Sequence, residues 1–107
     1  MASLQEREPA GRDAESGSAL KLEVLVRNEQ GIHARPAAKL AQEAQKFVSE
    51  IKLVYGKQTV DAKSILDILT LAAAQGSEIS IEAEGQDAEQ AVDHLRQLFE
   101  CRLGEER

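Results

Sequence analysis

Apolar residues repeat at every second position in some stretches of this chain and at every third or fourth in others. That switching limits the fold more than any single motif does. Over 20–27, Leu20, Leu22, Val24 and Val26 share one face, while Lys21, Glu23 and Arg27 take the other, as in a half-buried strand. From Ala34 the period lengthens. Ala37, Leu40, Ala41, Ala44 and Phe47 or Val48 form a stripe, with Lys39, Gln42, Glu43 and Lys46 on the wet side. Alternation returns over 50–55 through Ile51, Leu53 and Tyr55. Gly56 turns the chain into a partner strand over 57–62, and so short a turn joins antiparallel neighbours. The spacing predicts a helix over 64–73, opened by Ser64 with Asp67 in a capping-box arrangement and closed by Gln75-Gly76. A strand follows over 78–84, with Ile79, Ile81 and Ala83 inward. The last helix starts at Asp87 with Gln90 and buries Ala88, Ala91, Val92, Leu95, Leu98 and Phe99. His94 falls off that stripe and reads as a solvated surface residue. The order is β-α-β-β-α-β-α. Alternating strands imply a sheet covered on one face only. The expected class is α+β, a four-stranded antiparallel sheet with three helices on one face, an open-faced β-sandwich.

Residues 1–18 carry almost no bulky apolar side chain, so a disordered N-terminal tail is expected there. One domain over 19–103 follows, with a loose end at 104–107. Several function classes recede on composition. Net charge is −6 and no long basic run occurs, which disfavours a nucleic-acid partner. Aromatic residues are 3% of the chain and tryptophan is absent, so platforms for base stacking are not expected. A single cysteine, Cys101, rules out a disulfide within the chain and fits a reducing compartment. No apolar run reaches the roughly 20 residues of a membrane span, and no secretory leader is visible. A soluble, cytoplasmic monomer without cofactor or metal is expected.

The stretch Gly31-Ile32-His33-Ala34-Arg35-Pro36-Ala37-Ala38 lies where strand periodicity ends and helix periodicity begins. The first N–H groups of a helix lack internal partners and stand at the positive end of its dipole, a ready anion site. Arg35 adds a fork of donors suited to phosphate oxygens. Pro36 fits the first turn, and Gly31 lets the backbone bend before the histidine. His33 therefore presents a nucleophilic nitrogen beside a small-anion pocket. The plainer alternative is a polar histidine capping a helix, followed by a solvated arginine.

The runs GIHARPAAKLAQEAQKF and AKSILDILTLAAAQGSEISIEAEGQDAEQAVDHL resemble the two halves of HPr, the histidine-containing phosphocarrier family of the bacterial phosphoenolpyruvate-dependent sugar phosphotransferase system. The resemblance covers about residues 20–103. It implies an HPr-like fold and a carrier with a covalent phosphohistidine rather than a stand-alone enzyme. By that resemblance, His33 accepts a phosphoryl group on Nδ1 from phosphorylated enzyme I and passes it to an enzyme IIA domain. Arg35 attends the group, and the Ala34 and Arg35 amides contact it. Ser64 matches a serine that, in some bacteria, an HPr kinase/phosphorylase modifies for regulation. Asp67 stands where the family often has a small or basic residue. Ile65, Leu66 and Leu69 match the apolar contact surface for enzyme I and enzyme IIA.

Three functions compete. The first is a phosphocarrier in sugar uptake. The second is a regulatory relative that controls carbon or nitrogen metabolism through phosphorylation-dependent protein binding. The third is a small ligand-binding domain in which His33 is only a cap. The intact His33-Ala34-Arg35-Pro36 set argues against the third and leaves the first two open.

Overall fold

The computed structural model describes residues 19–106. The tail expected over 1–18 lies outside the described residues, as does Arg107. The elements run β1 (Leu20–Leu25), α1 (Ala34–Ala44), β2 (Glu50–Tyr55), β3 (Gln58–Asp61), α2 (Ile65–Thr70), β4 (Glu78–Glu84) and α3 (Ala88–Glu100), with a short turn over Arg102–Gly104. The sheet order is β1-β4-β2-β3, every neighbour antiparallel. The order and class are those read from the periodicity.

Register explains the one-sided core. Leu22 pairs Ile81, and Ile81 pairs Leu53, so one row of apolar side chains crosses three strands. Lys21 and Lys52 both pair Glu82, one residue away and on the opposite face. Ile51, Leu53, Ile79 and Ile81 are fully buried beneath Leu40, Ala41, Leu95 and Phe99 from the helices. Burying each large side chain contributes about 1.5–3 kcal/mol. Among the described residues, no helix is long and apolar enough to cross a membrane.

Several local expectations give way. The second helix stops at Thr70, and the left-handed position that ends it falls on Ala72 (φ 51°), with Gly76 placed in a later turn. Asp67 completes only half of a capping box. Its N–H donates to Ser64 Oγ at 3.2 Å, while its carboxylate accepts from the Asp61 N–H. Helix α1 ends before Phe47. Phe47 then packs on the core and Val48 is left 75% exposed.

Asp87 stands at the start of α3 without capping it. Its carboxylate accepts from the backbone N–H groups of Val48 (3.0 Å) and Ser49 (2.9 Å) and from the Ser49 hydroxyl. These bonds hold its carboxyl below the usual aspartate range, the Ser49 hydroxyl contributing most. Gly85 is needed in the same corner, because a Cβ there would lie 2.8 Å from Ser49 Cα.

Glu43 departs furthest from its expected place. It is 6% exposed, not on the wet side. Its carboxylate meets His94 Nε2 at 2.6 Å and Lys46 Nζ at 3.0 Å. Because His94 and then Lys46 stabilise the charged form, its pKa falls to about 2. His94 therefore bridges two helices through its contact with Glu43, its ring tilted against Phe47 at 5.6 Å, rather than being a free surface side chain.

Candidate functional site

The site is assembled at the mouth of α1. Extended strand β1 passes into a loop whose buried end is tied to the segment after α2. The Ile32 N–H donates to the Ala73 carbonyl at 3.0 Å. Gly31 has φ +70°, and a Cβ there would sit 2.3 Å from the Ala73 oxygen. Only glycine permits that approach. The loop therefore delivers His33 at a defined place.

His33 is the residue before the first turn of α1, in extended conformation (φ −90°, ψ −166°), and its side chain makes no capping hydrogen bond. Its ring is thus not spent on the helix start. The Ala37 N–H closes on the His33 carbonyl at 3.0 Å. Pro36 has no N–H, so Ala34 and Arg35 carry the amides of the first turn that lack a helical partner. Ala34 and Arg35 are exposed, while Pro36 and Ala37 are buried. The dipole of an 11-residue helix adds positive potential at this end.

His33 and Arg35 open onto a cleft of about 510 Å³ shared with Glu29, Gln30, Gly104, Glu105 and Glu106. The acidic side chains matter. A phosphoryl dianion would meet one guanidinium and two amides on one side and several carboxylates on the other. That balance would give a small anion only a weak grip.

Glu105 is the residue that sequence reasoning missed. The end of the chain was expected to be loose from Gly104 onward, but Gly104 and Glu105 are hydrogen-bonded into the structure. The Gly104 N–H donates to Cys101 O at 3.2 Å and the Glu105 N–H to Arg102 O at 2.9 Å. The Glu105 carboxylate lies 3.0 Å from His33 Nε2 and accepts from Asn28 Nδ2 at 2.7 Å. Leu103, 1% exposed, anchors the turn between α1 and α3. No local pattern announced this. Glu105 follows the last periodic element, and its side-chain partners, His33 and Asn28, lie at the far end of the sequence.

The expected contact surface divides. Ile65 is 41% exposed and Leu66 76%. Leu69 is half-buried and packs on the core, and Ile68 is fully buried. Leu69 is thus a supporting residue more than an outward one. Ser64 caps α2 with its hydroxyl, so that oxygen already has a structural role. The Asp61 and Asp67 carboxylates accept hydrogen bonds beside it. The single cysteine, Cys101, is exposed and unbridged. Among the described residues, no cluster of histidine, cysteine or acidic side chains is arranged to hold a metal.

The family profile described as PTS HPr component phosphorylation site matches residues 20–101. A phosphocarrier protein HPr from Cupriavidus necator is 42% identical over 86 residues, covering 80% of this chain and 97% of the relative. A multiphosphoryl transfer protein from Haemophilus influenzae is 42% identical over 83 residues, which are 75% of this chain and 17% of that much longer protein. The crystal structure of HPr-C-His from Thermoanaerobacter tengcongensis superposes with a TM-score of 0.78 at 40% identity, covering 82% of this chain and 99% of that one.

Proposed function

We propose that in this chain, which belongs to the HPr family and is a phosphocarrier of the phosphotransferase system, the phosphoryl group travels on His33. The α+β fold is that of HPr structures. Proteins of the phosphotransferase system are its partners. Within that role we assign the donor as phosphorylated enzyme I and the acceptor as an enzyme IIA domain. The reacting atom is Nδ1 of His33.

One observation carries the assignment to His33. Its side chain makes no capping bond although it stands at a helix mouth with Arg35 and two partnerless amides. A neutral imidazole is a competent nucleophile near neutral pH. Nδ1 attacks phosphorus, the bond to the donor's leaving atom breaks, and Arg35 with the Ala34 and Arg35 amides attends the transferred oxygens. The same contacts act in reverse as the group leaves. Exposed Leu66, with Ile65 beside it, supplies an apolar landing surface for the partners. Ser64 directly precedes that surface. Charge added there by a kinase would face Asp61 and Asp67 and would disturb docking on Ile65 and Leu66. We place the protein in the cytoplasm as a monomer.

Incubation with phosphoenolpyruvate and the cognate enzyme I tests the assignment. An acid-labile phosphate should appear on His33 and be absent from His33→Ala. Phosphate elsewhere, or none on a folded protein, overturns it.

A further inference from the structure

Side chains from the two ends of the fold meet behind the His33 ring. Asn28, in the loop after β1, is fully buried. Its amide nitrogen donates to Glu105 Oε1 at 2.7 Å and to the Arg102 carbonyl at 2.7 Å. Both partners are acceptors, which fixes the amide's orientation. Its own oxygen has no partner among the described residues. The second carboxylate oxygen of Glu105 lies 3.0 Å from His33 Nε2. One carboxylate is thus held at one oxygen by Asn28 and faces the imidazole with the other.

The backbone that brings Glu105 there is costly. Arg102 (φ 56°) and Leu103 (φ 51°) both adopt the left-handed region, and Gly104 (φ 86°) continues it. Successive non-glycine residues rarely do so. Leu103 accounts for its own burial, because it plugs the gap beside α1 and α3. It does not account for an asparagine buried with one unmet oxygen so that its nitrogen can grip a carboxylate. Strain and an orphaned polar atom gathered beside a reactive ring are characteristic of a functional constraint.

We infer that Glu105 and Asn28 are positioning residues for phosphoryl transfer at His33, an inference that rests on the His33 assignment above. The Glu105 carboxylate accepts the Nε2–H of the neutral ring, which leaves the lone pair on Nδ1. Asn28 keeps the carboxylate in place, as outer partners of a ligating or catalytic histidine do. When Nδ1 forms its bond to phosphorus, the bond from phosphorus to the donor breaks and that electron pair leaves with the donor. The ring keeps its Nε2 proton and gains positive charge. The carboxylate lies against that proton and stabilises the charge as it develops. When the group moves on, the Nδ1–P electron pair returns to the ring and the charge disappears. Asn28 has no contact with phosphorus in this scheme and acts only through Glu105.

The test uses the full chain, phosphoenolpyruvate and cognate enzyme I. Glu105→Ala should slow single-turnover loading of His33 about tenfold or more, with unchanged KM for enzyme I and unchanged Tm. Ring 15N shifts should place the His33 proton on Nε2 in the parent chain and show mixed tautomers in Glu105→Ala. Asn28→Ser should give a smaller loss, and the double variant should be no slower than Glu105→Ala alone. Glu105→Ala leaves the Asn28 bond to the Arg102 carbonyl in place, so its result stands even where the Asn28 variant fails to fold. A parent-like rate and parent-like 15N pattern in Glu105→Ala, with phosphate still on His33, overturns the inference and leaves the His33 assignment intact. Additive losses in the double variant overturn the part assigned to Asn28. Phosphate that never reaches His33 in the parent chain overturns the assignment itself.

Discussion

The Glu43 carboxylate lies 2.6 Å from Nε2 of His94, joining α1 to α3 across 51 positions of sequence. Glu43 is nearly buried and its pKa is lowered to about 2, first by His94 and then by Lys46. A carboxylate whose folded pKa is depressed stabilises the fold above its unfolded pKa of 4.5 and loses that contribution as pH falls toward 2. Urea denaturation between pH 6 and pH 2 should show that loss. Glu43→Gln should be less stable by about 1–3 kcal/mol at pH 6, with a shallower decline in acid.

Gly31 should tolerate no side chain. Gly31→Ala forces both a left-handed alanine and a clash with the Ala73 carbonyl. A loss of about 1–3 kcal/mol is expected. Slower phosphoryl loading should accompany it, since the same contact sets the height of His33. A Tm equal to the parent's would show that the loop moves aside freely.

Neighbours on α2 should behave in opposite ways. Ile68→Ala removes a fully buried side chain and should cost about 2–5 kcal/mol. Leu66→Ala, at a residue 76% exposed, should change stability by less than about 0.5 kcal/mol. Its effect should appear as a raised KM for enzyme I with kcat little changed. Chemical denaturation and steady-state transfer assays separate the two.

Ser64→Ala should lose the cap on α2, about 1 kcal/mol. Ser64→Asp keeps a capping oxygen but adds charge beside Asp61 and Asp67. It should retain stability yet transfer phosphate from enzyme I more slowly. An unchanged transfer rate would remove Ser64 from any regulatory role through this surface.

Arg35→Lys keeps the charge and loses the forked geometry. Loading should slow by roughly tenfold, about 1.4 kcal/mol in the barrier. Stability should hold, because Arg35 is exposed.

Periodicity made the sheet, its helices and the place of His33 at the mouth of α1 legible because each depends on neighbours two to four positions away. Glu43 was misplaced because its spacing matches Lys39, Gln42 and Lys46. Only the arrival of α3, with His94 between buried Ala91 and Leu95, makes that position interior. Asp87 looked like a cap because a cap is the local use of an aspartate before a helix. Its actual partners, Val48 and Ser49, come from the loop before β2. Asn28 and Glu105 lie outside every periodic stretch and meet only after the sheet has closed. Local spacing holds no trace of such a pairing.

The Ile32 to Ala73 hydrogen bond joins the loop carrying the imidazole to the segment that leaves α2. On the proposed reading, an enzyme that landed on Leu66 would touch the same scaffold from which the nitrogen projects. Recognition and aiming would then be one event, and affinity gained at the landing surface would serve to align the reacting atoms.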